Sequence, residues 1–129
     1  MLPVLTKQIL PQTGLIATAI STDTTTDGAE IDTKGYDSAL VITTVHVYSA
    51  GTVTPVINQT ATSGSGYTAV DDAFLVNEAN ESLTALGHSV VGVSLRERYL
   101  EVDLLSADSA DLTASVMVIL YNARKTPVA

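Results

Sequence analysis

Cysteine and tryptophan are both absent from this chain, and it has a single phenylalanine. Without cysteine, neither a disulfide nor a thiolate metal site can staple the fold, and the redox compartment is left open. Long apolar runs are missing too. None approaches the roughly 20 residues that a membrane-spanning helix needs. Positive charge is scarce: six Lys and Arg stand against 14 Asp and Glu, for a formal net charge of −8. The basic residues are scattered singly, apart from Arg96 with Arg98 and Arg124 with Lys125. Nucleic acid requires a basic footprint to neutralise its phosphates, so no nucleic-acid partner is expected, and anionic membrane surfaces are disfavoured for the same reason. The N-terminal MLPVLTKQILPQ has no charged region ahead of a continuous apolar core. It is therefore not a signal-peptide pattern, and the expectation is a soluble protein made in a cytoplasm. The acidic excess reads as solubility and mutual repulsion of exposed surfaces.

What is present is β grammar. At 129 residues one domain is expected. Val, Ala, Leu and Thr dominate, as suits thin aliphatic layers between two sheets. The stretch from Gly35 to Thr60 reads as a hairpin, with strands at 38–48 and 52–60 around an Ala-Gly-Thr break in which Gly51 supplies positive φ. Pro55 lacks a ladder donor, which places it at an edge or a bulge. Residues 1–13 hold Pro3 and Pro11 with Leu2, Val4, Leu5, Ile9 and Leu10 between or beside them. That composition disfavours a regular helix or central strand and predicts an extended arm whose apolar side chains need a surface. Strands are then expected at 14–20, 28–33 (Ala29, Ile31 and Thr33 on one face), 67–70, 82–86, 88–95 and 98–106. The last is 111–122, after an ADSAD turn. In 111–122 Leu112, Ala114, Val116, Val118 and Leu120 share one face, while Met117, Ile119 and Tyr121 make the other face apolar as well. A strand apolar on both sides is usually covered on both, which points to a central strand with a further surface, such as another subunit, against it. No stretch reads as an amphipathic helix. Eight or nine short strands with turns between them predict an all-β, antiparallel β-sandwich or barrel. It would comprise an arm at 1–13, a sandwich at 14–122 and a tail at 123–129.

The search for chemistry returns little. DTTTDG at 23–28 resembles the opening of a calcium loop, but Lys34 occupies the closing position that a bidentate Glu should fill, so a polar turn is expected. His46 and His88 have no partner at ligand spacing and read as hydrogen-bonded structural residues. Asp71 and Asp72 are adjacent, which in a strand sends them to opposite faces rather than into an acid/base pair. No G-x-S-x-G elbow occurs, and SGSG at 63–66 lacks the Lys of a phosphate loop. Tyr36, Tyr48, Tyr67, Tyr99 and Tyr121 fall in separate elements, which suits packing better than a sugar-stacking platform. No enzyme, metal or cofactor is expected.

Four stretches together resemble the head decoration, or cement, proteins of tailed bacteriophages, which have a jelly-roll-like sandwich. They are GAEIDTKGYDSALVITTVHV, SGSGYTAVDD, RERYLEVDLL and TASVMVILYNARKTP, which span most of residues 28–127. The resemblance implies a homo-oligomer, a trimer before a dimer, seated on the outer capsid of a virion with the major capsid protein as partner. It brings no catalytic residues. The candidate partner-binding residues are the apolar ones of the arm, Leu2, Val4, Leu5, Ile9 and Leu10, together with Met117, Ile119 and Tyr121. The alternatives are a carbohydrate-binding module on a head or tail fibre and a tail or neck structural protein.

Overall fold

The structure, a computed structural model, describes residues 9–76 and 82–123. Strands run in the order β1 (Leu10–Ile20), β2 (Thr25–Thr26), β3 (Ile31–Asp32), β4 (Tyr36–Thr60), β5 (Thr68–Ala69), β6 (Leu75–Val76), β7 (Gly87–Ser94) and β8 (Tyr99–Ala123). A single 3-10 turn, Asp72–Phe74, is the only helical element among the described residues. Every pairing is antiparallel. The expected all-β sandwich is what forms, but two of its strands are far from short.

The stretch from Gly35 to Thr60 is not a hairpin. It is one strand of 25 residues, and so is Tyr99–Ala123. The two pair from Tyr36↔Ala123 at one end to Thr60↔Tyr99 at the other, forming a continuous ribbon. The glycine expected to reverse the chain bends it instead. Gly51 has φ of +89°, and a Cβ there would come 2.4 Å from Ala110 Cα. It sits between the pairs Ala50↔Asp111 and Thr52↔Ala107, so the ADSAD segment bulges against it rather than turning back. Asp108 and Ser109 take up left-handed backbone there, at φ of 60° and 59°. The bulge is held from outside: the Asp23 carboxylate accepts from the N–H groups of Ser109 (3.1 Å) and Ala110 (2.9 Å). That contact spans more than 80 residues of chain, which is why local turn chemistry did not reveal it.

On one side of the bend the sheet order is β1-β8-β4-β7-β6; on the other, β2 and β3 line β8 while β5 and an isolated bridge, Val53↔Leu83, line β4. Burial alternates along both long strands as the period-2 pattern requires. Ala39, Val41, Val45, Val91, Val93, Ala114, Val116, Val118 and Leu120 on one layer are at most 3% exposed. They join Val53, Ile57, Leu100, Val102 and Leu104 of the other in one core cluster. Pro55 falls between the Val53 bridge and the β5 pairing, where no strand flanks β4 on its outer side, so its missing N–H is tolerated.

Other boundaries move as well. β1 begins at Leu10 rather than Gly14, so residues 10–13 belong to the sandwich; Pro11 is accommodated because β1 is an edge strand. The strand expected over 28–33 shrinks to Ile31–Asp32, with Ile31 and Thr33 buried but Ala29 exposed. Gly28 crosses β8 so closely that a Cβ would lie 2.1 Å from the Val102 carbonyl oxygen, and Ala29 N–H donates to Gly14 O at 2.7 Å. The 82–86 segment contributes only the Leu83 bridge. Residues 1–8 of the arm and 124–129 of the tail lie outside the described residues.

Two substitutions probe this framework. Gly51→Ala forces a side chain into left-handed backbone against Ala110 and should cost roughly 2 kcal/mol or more in chemical denaturation. Thr43 is fully buried and its hydroxyl has no hydrogen-bond partner among the described residues. Thr43→Val, which keeps the shape and removes the orphaned polar atom, should raise stability by about 1 kcal/mol in the same measurement.

Candidate functional site

Residues directly opposite one another in an antiparallel ladder point to the same face. The register therefore defines what the five-stranded layer shows to solvent. One row runs Pro11, Ile119, Leu40, Gly92 and Val76; the next runs Thr13, Met117, Ile42 and Val90. Ser115, Thr44 and His88 follow on one side, and Tyr121, Ser38 and Ser94 on the other. None of these residues is Asp, Glu, Lys or Arg, and His88 is the one imidazole among them, on a chain of net charge −8 with His counted neutral. The apolar members are open: Val76 is 64% exposed, Met117 42% and Val90 36%. Met117, Ile119 and Tyr121, the outward residues anticipated from the sequence, thus share this face. Leu10 does not. It lies opposite Leu120, on the core side of the rim, and is partly exposed only because β1 is the edge. Ile9 is half-buried just before it, and Leu2, Val4 and Leu5 lie outside the described residues. Sequence reading missed Leu40, Ile42, Val90 and Pro11. The first two alternate with core residues in 38–45, so that run is apolar on both faces just as 112–121 is.

The outer face of the other layer has the opposite character. Glu101 and Asp103 alternate with the buried Leu100, Val102 and Leu104, and the loop through Asp27 and Gly28 lies on them. Carboxylate oxygens of Asp27, Glu101 and Asp103 all lie within 4.8 Å of one another. Oxygen donors so arranged suit a hard cation, but the Asp103 oxygens already accept from Gly28 N–H (2.9 Å) and the Asn58 side-chain amide (3.1 Å). Glu101 is pushed up to about 7, first by burial, then by its hydrogen bond with Asp103 and by the negative charges of Asp103, Asp27 and Glu30. The cluster therefore holds a proton near neutrality. Beside it, Glu30 clamps the 63–67 loop, accepting from Ser63 Oγ (2.6 Å), Gly64 N–H (2.7 Å) and the Tyr67 hydroxyl. These bonds, that from Ser63 foremost, hold its carboxyl below the usual range. Burial and then the bond to Glu30 push the Tyr67 hydroxyl up. No sequence signal joins these residues, which come from four separate segments.

The remaining candidates resolve into structural contacts. Asp23 and Asp27 of DTTTDG part company, one to the β8 bulge and one to Glu101 and Asp103. His46, at a bulge in β4, lies 2.7 Å from Ser115 Oγ across the ribbon through Nε2. The tyrosines stay apart: Tyr48 donates to Gly51 O, Tyr67 to Glu30, and Tyr99 lies under the Arg98 guanidinium. Tyr36 and Tyr121 lie at the far end of the ribbon, opposite Ala123 and Ser38.

The sequence matches no protein-family model and no curated protein. Solved structures do share the fold. The SPBc2 prophage-derived protein YomS aligns with a TM-score of 0.55 at 11% identity, over 87% of this chain and 91% of its own. A protein of Bacillus endospore appendages, which form disulfide-linked pili, gives 0.50 at 19%, over 89% and 88%. A chain of the infectious bursal disease virus Gx strain gives 0.53 at 11%, over 93% of this chain and 34% of that one. At these identities the likeness is one of fold.

The carboxylate cluster makes stability depend on pH in a definite direction. The Glu101 pKa in the folded state is raised from 4.5 to about 7, so the folded form binds the extra proton. Its contribution is present at low pH and is lost as pH rises from 4.5 through about 7. Melting temperature should fall across that window, and Glu101→Gln should flatten the profile there. An unchanged slope in the variant would show that the proton sits elsewhere.

Proposed function

We propose that this chain is a structural protein of a virion that binds the outside of a phage capsid as a homo-oligomer and stabilises it. The observation that carries the reading is the uncharged outer face of the β1-β8-β4-β7 layer. A chain with a large negative surplus repels its copies, yet the described residues of this sheet face include no Asp, Glu, Lys or Arg, and they present exposed Val90 and Met117 with half-buried Leu40, Ile42 and Ile119. Apolar rows bounded by Ser, Thr and His have the make-up of an interface, with an apolar centre and a polar rim. The fold is shared with a prophage-derived protein and with a chain of a virus, which supports a virion role, although fold alone never fixes function. Linkage of subunits as in the endospore pili is closed to this chain, because it has no cysteine.

In this reading the uncharged face joins copies of the chain, with a trimer favoured over a dimer. The apolar residues Leu2, Val4, Leu5 and Ile9, ahead of β1, reach the major capsid protein. Three arms on one body raise the effective concentration of each further contact. A body that binds the assembled shell and not its free subunits stabilises the shell by mass action, by roughly 2.7 kcal/mol per site at a hundredfold excess over Kd.

Met117→Glu tests the interface, because a charge there would be buried unpaired on association. The variant should fold normally, since Met117 points away from the core, but self-association should weaken roughly a hundredfold, on the order of 3 kcal/mol. Light scattering reads the mass. Undecorated capsids mixed with full-length protein, with Met117→Glu and with a deletion of residues 1–8, which spares β1, then read attachment by cosedimentation and heat resistance. Both changes should reduce it. If full-length protein neither cosediments nor raises the disruption temperature, the capsid role is wrong. A wild-type monomer would remove the homo-oligomer.

A further inference from the structure

Among the described residues, the scarce positive charge is gathered in one place. Lys34, Arg96 and Arg98 are the Lys and Arg residues that fall among the described ones, and all three line one cavity of about 280 Å3, together with Thr33, Ala61 and Glu97. Three turns meet there: the β3–β4 turn at 33–35, the exit of β4 at Ala61 and the β7–β8 loop at 95–98. Their backbones are locked together. Thr33, 2% exposed, donates through its N–H to Arg98 O (2.8 Å) and through its hydroxyl to the same oxygen (2.6 Å), and Leu95 N–H donates to Asp37 O (2.9 Å).

The two arginines are positioned differently. Arg98 is spent on a bidentate pair with Asp32, Nε to Oδ1 at 3.1 Å and a terminal nitrogen to Oδ2 at 2.9 Å, with its guanidinium over the Tyr99 ring. Arg96 carries its guanidinium carbon over the Phe74 ring, 4.1 Å from the centroid. Cation–π attraction holds a guanidinium there without using its N–H donors, whose fork matches a carboxylate. The Arg98–Asp32 contact is the one ion pair among the described residues, so Arg96 and Lys34 have no such partner there. Three positive charges against the carboxylates of Asp32 and Glu97 leave one positive charge in surplus.

We infer that this cavity is a binding site for a carboxylate, with Arg96 as the bidentate donor and Lys34 as the second cation. Size and charge both select the ligand. A cavity of about 280 Å3 is below the usual range for drug-sized ligands and suits a single acidic side chain or a small carboxylic acid. A surplus of one charge matches a monoanionic carboxylate better than a phosphate dianion. Arg98 lines the site while paired with Asp32, and Phe74 lies under the Arg96 guanidinium. Phe74 also borders the uncharged sheet face beside Val76 and Tyr121, but the carboxylate site uses none of that face's residues and does not depend on the capsid role.

The test is a nuclear magnetic resonance titration of the full chain with three probes: butyrate, a capped tetrapeptide with one glutamate, and inorganic phosphate. Butyramide serves as the neutral control. Saturable shifts should appear at the amides of Lys34, Ala61, Arg96 and Glu97 with butyrate or the peptide, and not with butyramide. Whichever of the two binds more tightly identifies the source as free acid or peptide side chain. Arg96→Gln and Lys34→Gln should each weaken binding about tenfold, the scale of one charge-assisted bond, with the rest of the spectrum unmoved. Because both side chains are exposed, the unmoved spectrum also reports that the variants fold. Absent shifts, shifts that survive Arg96→Gln, or phosphate binding as tightly as butyrate would each overturn the assignment.

Discussion

The ribbon of β4 and β8 is the constraint on which the rest depends. Both strands run 25 residues and stay paired along their whole length, so the molecule is a single folded sheet. Of the other strands, β1, β2, β3, β5 and β7 pair directly with this ribbon, and β6 joins it through β7. The fold closes because the ribbon bends once, at Gly51 opposite the 107–111 bulge. Beyond the bend the same two strands supply the other layer of the core. A bend of this kind leaves extra backbone N–H groups without ladder partners, and those of Ser109 and Ala110 are taken by Asp23. The residue that resembles the start of a calcium loop is therefore a clamp on the corner of the sandwich.

The bend also divides the chemistry. Because side chains alternate along a strand, each long strand turns one set of residues inward on both sides of the corner and leaves two outward sets that can differ. Beyond one side of the bend the outward set carries Glu101 and Asp103, which gather Asp27, Gly28 and Asn58 over them. Beyond the other it is Leu40, Ile42, Met117 and Ile119. Among the described residues, carboxylates thus lie on one outer face and in the loops, and the opposite face holds no Asp, Glu, Lys or Arg. The described cations lie at the turns that end the ribbon, where Arg98 and Asp32 tie β3 to the β7–β8 loop.

Much of this was legible from local pattern. The period-2 alternation of 98–106 and 112–121 placed the inward residues correctly, and their burial follows it almost without exception. The double-sided apolar character of 112–121 correctly marked a central strand, flanked by β1 and β4. Pro55 at a gap and Pro11 on an edge follow from the missing N–H alone. The Gly/Ser loop at 61–67 does reverse the chain, since β4 and β5 pair antiparallel across it, but the reversals read at Gly51 and at ADSAD failed. Gly51 and ADSAD have turn chemistry, but each sits opposite the other across the ribbon, and a paired bend needs the same left-handed backbone as a turn does.

Composition and alternation by themselves determined the class of fold, the identity of the core and the absence of any disulfide, because those depend on residue type and on a period set by the strand. Which strands pair, where the sheet folds and which residues share a surface were decided only by tertiary structure. Pairings such as Tyr36↔Ala123 join residues far apart in the chain, and no local propensity encodes the partner of a strand. The same holds for the sites. Asp27 meets Glu101 and Asp103, and Lys34 meets Arg96 and Arg98, only once the ribbon has bent and its turns have come together at the ends of the sandwich.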